Sequence, residues 1–169
     1  MSHVLIIGMT ESGKTTLAKR LANDYWQKGR DVLVLDPMND PAWPKTKGGF
    51  ITRDKDEFLM VSKSKQHCAI FIDESGQEVG KYAREMAWFA TQSRHWGHKT
   101  HFITQRVQQL DTTVRGQCSA LFLFRVSKKD SDILAEEYAQ EELREAYKLD
   151  KGECFYCGRF EGVKKIKIF

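Results

Sequence analysis

A chain of 169 residues with 41% hydrophobic and 30% charged residues has the size and balance of one soluble domain built on a single core. Its formal net charge of +4 permits a polyanionic partner without requiring one. No apolar run reaches membrane-spanning length, and the first strand starts too early to leave room for a signal peptide, so a cytoplasmic protein with reduced cysteines and no membrane insertion is expected.

Val4-Leu5-Ile6-Ile7 reads as a buried strand and leads directly into Gly8-x-x-x-x-Gly13-Lys14-Thr15, after which residues 14–28 show helical periodicity. A glycine-rich turn between strand and helix converges backbone N–H groups on one point, where the helix N-terminus adds partial positive charge. The predicted phosphate cradle is Gly8, Met9, Thr10, Glu11, Ser12, Gly13, Lys14, Thr15 and Thr16. Lys14 is expected on the β- and γ-phosphates and the Thr15 hydroxyl on Mg²⁺, which makes this a nucleoside-triphosphate site.

Gly29 suits a helix C-cap, and Val32–Leu35 a second buried strand ending at Asp36-Pro37. Residues 37–49, with all three prolines and Trp43, read as an irregular loop at the edge of the site. Phe50–Thr52 suggests a short strand, and Asp54 an N-cap for a helix to about residue 63, with Glu57 placed for a capping box. Ala69–Ile72 is the third strong strand. A helix over about 78–93, carrying Tyr82, Met86, Trp88 and Phe89, ends at Gly97. His101–Thr104 and Ala120–Phe124 are further strands, separated by a short helix or turn over 107–118. Residues 128–147 read as one helix, and Glu153–Gly158 with Val163–Phe169 as a terminal β-hairpin. Apolar strands alternating with helices predict an α/β fold with a mainly parallel sheet covered on both faces, of the P-loop NTPase type. One domain over 1–169 is expected, with the hairpin at about 152–169.

Asp73 and Glu74 follow a buried strand, at the edge where parallel sheets bind ligands. An Asp there can hold Mg²⁺, and a Glu directly after it can polarise an attacking water, which favours hydrolysis over phosphoryl transfer. Gln105 ends the next strand at the same edge and can sense the γ-phosphate. Transition-state charge also calls for an arginine, with Arg94, Arg106, Arg115 and Arg125 as candidates. Cys154-x-x-Cys157 invites a zinc site, but Cys68 and Cys118 are isolated, so four ligands require His95, His98 or His101 to converge.

Together, Gly-Met-Thr-Glu-Ser-Gly-Lys-Thr-Thr (8–16), Phe-Ile-Asp-Glu (71–74), Ser-Arg-His-Trp-Gly-His (93–98) and Ile-Thr-Gln-Arg (103–106) resemble the FtsK–HerA superfamily of DNA-pumping ATPases. Val-Arg-Gly-Gln-Cys (114–118) and Leu-Phe-Leu-Phe-Arg (121–125) are similar to the same group, particularly to genome-packaging ATPases of membrane-containing viruses and related phages. The resemblance covers about residues 4–126 and implies a RecA-like, ASCE-type fold. It implies ATP and Mg²⁺ as cofactors, Lys14 and Thr15 on phosphate and metal, Asp73 on metal, Glu74 as base and Gln105 as sensor. It also implies an arginine finger supplied in trans, with Arg94 the first candidate and Arg115 the second. The partners it implies are double-stranded DNA bound without regard to sequence, further copies of the chain in a hexameric ring, and a viral procapsid or portal vertex. The location would then be a host cytoplasm or the virion. One departure stands out: Glu11 occupies the place of the family's middle glycine, where a carboxylate repels phosphate unless it points away. DNA contacts would have to come from loop 37–49 or the basic hairpin. A small-molecule P-loop kinase and a nucleotide-dependent switch are the competing readings.

Overall fold

The computed structural model describes residues 3–43, 49–74 and 87–169. Four of the predicted strands form its centre: β1 (His3–Ile7), β2 (Val32–Leu35), β4 (Ala69–Glu74) and β5 (Lys99–Thr104). With β3 (Phe50–Thr52), β6 (Cys118–Leu123), β7 (Glu153–Gly158) and β8 (Lys164–Lys167) they make one sheet of order β3-β2-β4-β5-β1-β6-β7-β8. The pairings from β3 to β6 are parallel, and the β7–β8 hairpin adds antiparallel strands at one side. This is the expected α/β architecture with its terminal hairpin.

Strand alternation divides the core in two. Val4, Ile6, Val32, Val34, Phe71 and Ile103 face α1 (Lys14–Gln27), which contributes Leu17, Ala18 and Ala22. Leu5, Ile7, Leu33, Leu35, Ile70, Ile72, Phe102 and Leu121 face the other layer. That layer is supplied by Phe58 of α2 (Lys55–Ser64), Phe89 and Ala90 of a helical stretch at 87–91 (α3), Val114 of α4 (Thr112–Gly116), and Leu134 and Tyr138 of α5 (Lys128–Tyr138). Because both faces are covered, the central strands could be apolar throughout.

Some boundaries differ from expectation. The helix expected over 128–147 stops at Tyr138, because Ala139 turns left-handed (φ 53°) and Glu141–Lys148 continues as 3-10 turns. Leu143 and Ala146 thereby fold back into the same core as Leu134, so packing overrides a continuous apolar stripe. Asp54 caps α2 as expected, accepting from the N–H groups of Asp56 and Glu57. The reciprocal half of the box is relayed, since Thr52 Oγ1 accepts the Asp54 N–H and donates to Glu57. Trp43, read as part of a loop, is 2% exposed and packs against Phe71, so the described part of that loop is docked on the α1 layer. Of the helix expected over 78–93, residues 78–86 lie outside the described residues, Tyr82 and Met86 among them.

Candidate active site

β1 delivers the chain into the phosphate loop between the ends of its two neighbours. The Gly8 N–H donates to the Thr104 carbonyl (3.1 Å) and the Met9 N–H to the Arg125 carbonyl (2.8 Å). Glycine is required at residue 8, where a Cβ would stand 2.5 Å from Ser12 Oγ and 2.6 Å from Phe124 Cβ. Gly13, at φ 114°, turns the chain into α1 and provides no side-chain cap, so the helix opens with its N–H groups free for an anion. Lys14 is buried, its Nζ 3.4 Å from the Met9 carbonyl. Burial lowers the Lys14 pKa, and the nearby Asp73 carboxylate partly offsets this. The Ser12 hydroxyl is buried without a partner among the described residues. An orphaned hydroxyl, a buried cation and an uncapped helix suit a bound phosphate. The cavity beside them, about 240 Å³, is lined by Glu11, Gly13, Lys14, Thr15, Thr16, Lys151 and Phe169. Met9 and Thr10 are exposed on the outer turn of the loop. Glu11 is also exposed and takes a left-handed backbone (φ 65°), the conformation for which glycine is favoured.

The acid pair ends β4 at the same edge. Asp73 stands opposite Ile103 and Glu74 opposite Thr104, while Thr104 in turn is level with Ile7 of β1. Two strand spacings, about 10 Å, therefore separate the end of β4 from the start of the phosphate loop. The side chain of Glu74 lies outside the described residues. Asp73 is 7% exposed and its pKa is pushed up to about 6, chiefly by burial and then by Asp36, against the pull of Lys14 and Lys19. Asp36 is held as the start of a turn, accepting N–H donors from Met38 (2.9 Å) and Asp40 (2.7 Å), and Asp40 pairs with Lys19. A buried carboxylate whose negative charge is undercompensated, with the Thr15 hydroxyl on the same edge, is a donor set that fits a hard divalent cation completed by phosphate oxygens.

Gln105 leaves β5 beside the loop, half-buried, and its backbone is pinned by a residue that sequence reading overlooked. Gln109 Oε1 accepts from Thr104 Oγ1 (2.8 Å) and from the N–H groups of Gln105 and Arg106 (both 3.1 Å). Only the turn geometry brings these donors together, so no signal in the sequence could have marked Gln109. Asp36 could have been found, since it too ends a buried strand at the ligand-binding edge.

Arg94 lies elsewhere. It sits in a 3-10 turn (Ser93–Trp96) leading into β5, is exposed, and donates to the Gln117 side chain and the Ala90 carbonyl. The length of β5 puts it about 17 Å or more from its own phosphate loop, at the opposite sheet edge. Arg115 is largely buried and committed, donating to the Val107 and Leu110 carbonyls and to the Glu137 carboxylate. Arg106 Nε is 3.1 Å from Asp130. The zinc reading finds no support: Cys154 and Cys157 are buried on opposite faces of β7, and no metal-binding cluster exists among the described residues.

A phosphate loop on a central parallel strand, with an acid pair and an amide on neighbouring strand ends, defines a P-loop ATPase. Residues 1–110 match the family of the helicase HerA central domain, and the chain belongs to that family within the FtsK–HerA class. No curated protein matches the sequence. Among solved structures, the chain is similar to the genome packaging NTPase B204 of Sulfolobus turreted icosahedral virus 2 in complex with AMPPCP, at 16% identity and TM-score 0.78, covering 99% of this chain and 98% of that one. It also resembles the pCW3 conjugation coupling protein TcpA (15% identity, TM-score 0.76), covering 99% of this chain and 60% of that one. A third likeness is to VirB4 of Thermoanaerobacter pseudethanolicus (10% identity, TM-score 0.71), with 99% and 89% covered. At these identities the likeness is one of fold. Among the described residues, no helix is long and apolar enough to cross a membrane.

Proposed function

We propose that this ATPase moves double-stranded DNA, without reading its sequence, as one subunit of a homo-oligomeric ring of the kind that packages a viral genome. The observation that carries the reading is the near-complete mutual cover between this chain and a genome packaging NTPase, in a chain of the HerA family. Lys14 and the backbone of residues 8–16 grip the triphosphate. Asp73 and Thr15 would hold Mg²⁺, which when bound neutralises charge on the β- and γ-phosphates. Glu74 takes a proton from the attacking water and Gln105 orients that water; the bond from the γ-phosphorus to the bridging oxygen breaks and ADP departs. Arg94 completes a neighbour's site, a role in keeping with its place at the edge remote from its own loop. On the described surface, Lys164 and Lys167 of the edge strand β8 are exposed without ion pairs among the described residues, a basic edge that suits DNA phosphates.

Turnover measured with and without duplex DNA tests the motor, and stimulation is the expected result. Lys14→Ala should abolish nucleotide binding, Glu74→Gln should keep ATP bound without turnover, and Arg94→Ala should lose turnover but keep ATP. Mixing Lys14→Ala with Arg94→Ala subunits should restore about a quarter of the sites if the finger acts between subunits. No recovery on mixing, or an active Arg94→Ala variant, overturns the assignment of Arg94.

A further inference from the structure

The cavity beside the phosphate loop has a wall that no phosphate-handling residue supplies. Among the lining residues, Lys151 and Phe169 alone come from outside residues 8–16. Hydrogen bonds stitch this wall to the loop: the Gly152 N–H donates to the Ser12 carbonyl (2.9 Å) and the Ile168 N–H to the Gly152 carbonyl (2.6 Å). Arg20 Nη1 on α1 then donates to the Ile168 carbonyl (2.6 Å). Phe169 lies over two glycines. A Cβ at Gly13 would stand 3.2 Å from its Cε1, and one at Gly152 3.0 Å from its Cδ2 and Cε2. The ring thus packs against bare backbone, and Phe169, 48% exposed, also lines the cavity.

A cavity of about 240 Å³ is smaller than the roughly 300–1,000 Å³ that encloses a whole small ligand. A cavity of this size beside Lys14 and Thr15 suits the triphosphate alone and leaves the nucleoside for the mouth. Resting on the reading of this site as an ATP site, we infer that Phe169 is the platform on which the base of the bound nucleotide stacks, with Lys151 as the cation nearest the nucleoside end of the phosphates. The ring offers a π-face and no hydrogen-bonding edge, so it selects for stacking area, not for base identity. ATP and GTP should bind alike, and CTP and UTP more weakly. Lys151 has no ion pair among the described residues and is free to make this contact.

The test is calorimetric titration of the full chain with AMPPCP, the corresponding non-hydrolysable GTP and CTP analogues, and inorganic tripolyphosphate, which has no base. Phe169→Ala and Phe169→Leu should each weaken AMPPCP about tenfold, within the range for loss of aromatic–base stacking, and Phe169→Tyr should retain it. All three variants should bind tripolyphosphate within about twofold of the parent, since its contacts are to the loop. Full affinity for AMPPCP in Phe169→Leu would overturn the proposal, because leucine fills space without a π-face. So would an equal loss of tripolyphosphate affinity, which would make the ring only a buttress for the loop. Failure of the parent chain to bind either ligand would instead remove the nucleotide site itself.

Discussion

Glu11 presents the sharpest conflict between this chain and its family, and the structure separates its two costs. The first is conformational. An L-residue held at φ 65° gives up about 1–2 kcal/mol relative to an ordinary backbone. Glycine escapes that cost but loses about 0.4–1 kcal/mol through the freedom it adds to the unfolded chain. Glu11→Gly should therefore gain about 0.5–1 kcal/mol in stability, read from the urea midpoint at constant m-value. The second cost is electrostatic. The carboxylate lines a cavity of about 240 Å³, roughly 6 Å across, and is itself exposed. At about 8 Å in water, each phosphate charge costs about 0.5 kcal/mol before screening by salt. Glu11→Gln should then tighten AMPPCP about two- to fivefold at low salt, with the gain fading by about 0.5 M as screening shortens. Glu11→Gly should show the same affinity gain together with the stability gain. Reduced stability in Glu11→Gly, or unchanged low-salt affinity in Glu11→Gln, would refute the reasoning on the respective count.

Gln109→Ala removes the one acceptor shared by Thr104 Oγ1 and the N–H groups of Gln105 and Arg106, so kcat should fall at least about tenfold with KM little changed. The same change should cost about 1–3 kcal/mol in stability. His3 and His101 are buried and neutral, with pKa values lowered to about 4 and about 3, first by desolvation. In each case the folded value lies below the unfolded one. The unfolded chain therefore takes up protons first, and stability is lost as pH falls from about 6.5 toward 4, at up to about 1.4 kcal/mol per pH unit for each group. Asp73 works in the opposite direction. Its folded pKa of about 6 exceeds the unfolded value, so its ionised form costs stability above pH 6 and that cost disappears as pH falls. Metal-free Asp73→Asn should thus be about 3 kcal/mol more stable than the parent at pH 7 and should lose stability more steeply in acid. Urea melts at pH 7, 6 and 5 check both signs, and a flat profile in the variant would contradict them.

The phosphate loop, the four central strands and the acid pair were legible in the sequence because each depends on local order. Apolar runs mark strands buried on both faces, the glycine spacing marks a turn that must approach a phosphate, and an acid after such a strand falls at the ligand-binding edge. The hairpin followed from two short strand-like segments, Glu153–Gly158 and Val163–Phe169, either side of a glycine-containing turn. What local order could not encode was set by distance across the fold. The end of the helix at Tyr138 depends on Leu143 finding the core beside Leu134, and neither Ala139 nor Gln140 is a breaking residue. Arg94 and Arg115 look equivalent as isolated arginines, yet one is exposed at the far edge and the other is spent on Glu137 and two carbonyls. Gln109 matters only because three donors converge on it, and Phe169 only because the sheet carries residues 152 and 169 back to the loop at residues 12 and 13. Sequence alone determined the kind of chemistry this edge can hold. Tertiary structure decided which side chains reach it, since hydrogen bonds and stacking act over a few ångströms and only the folded chain brings residues far apart in sequence that close.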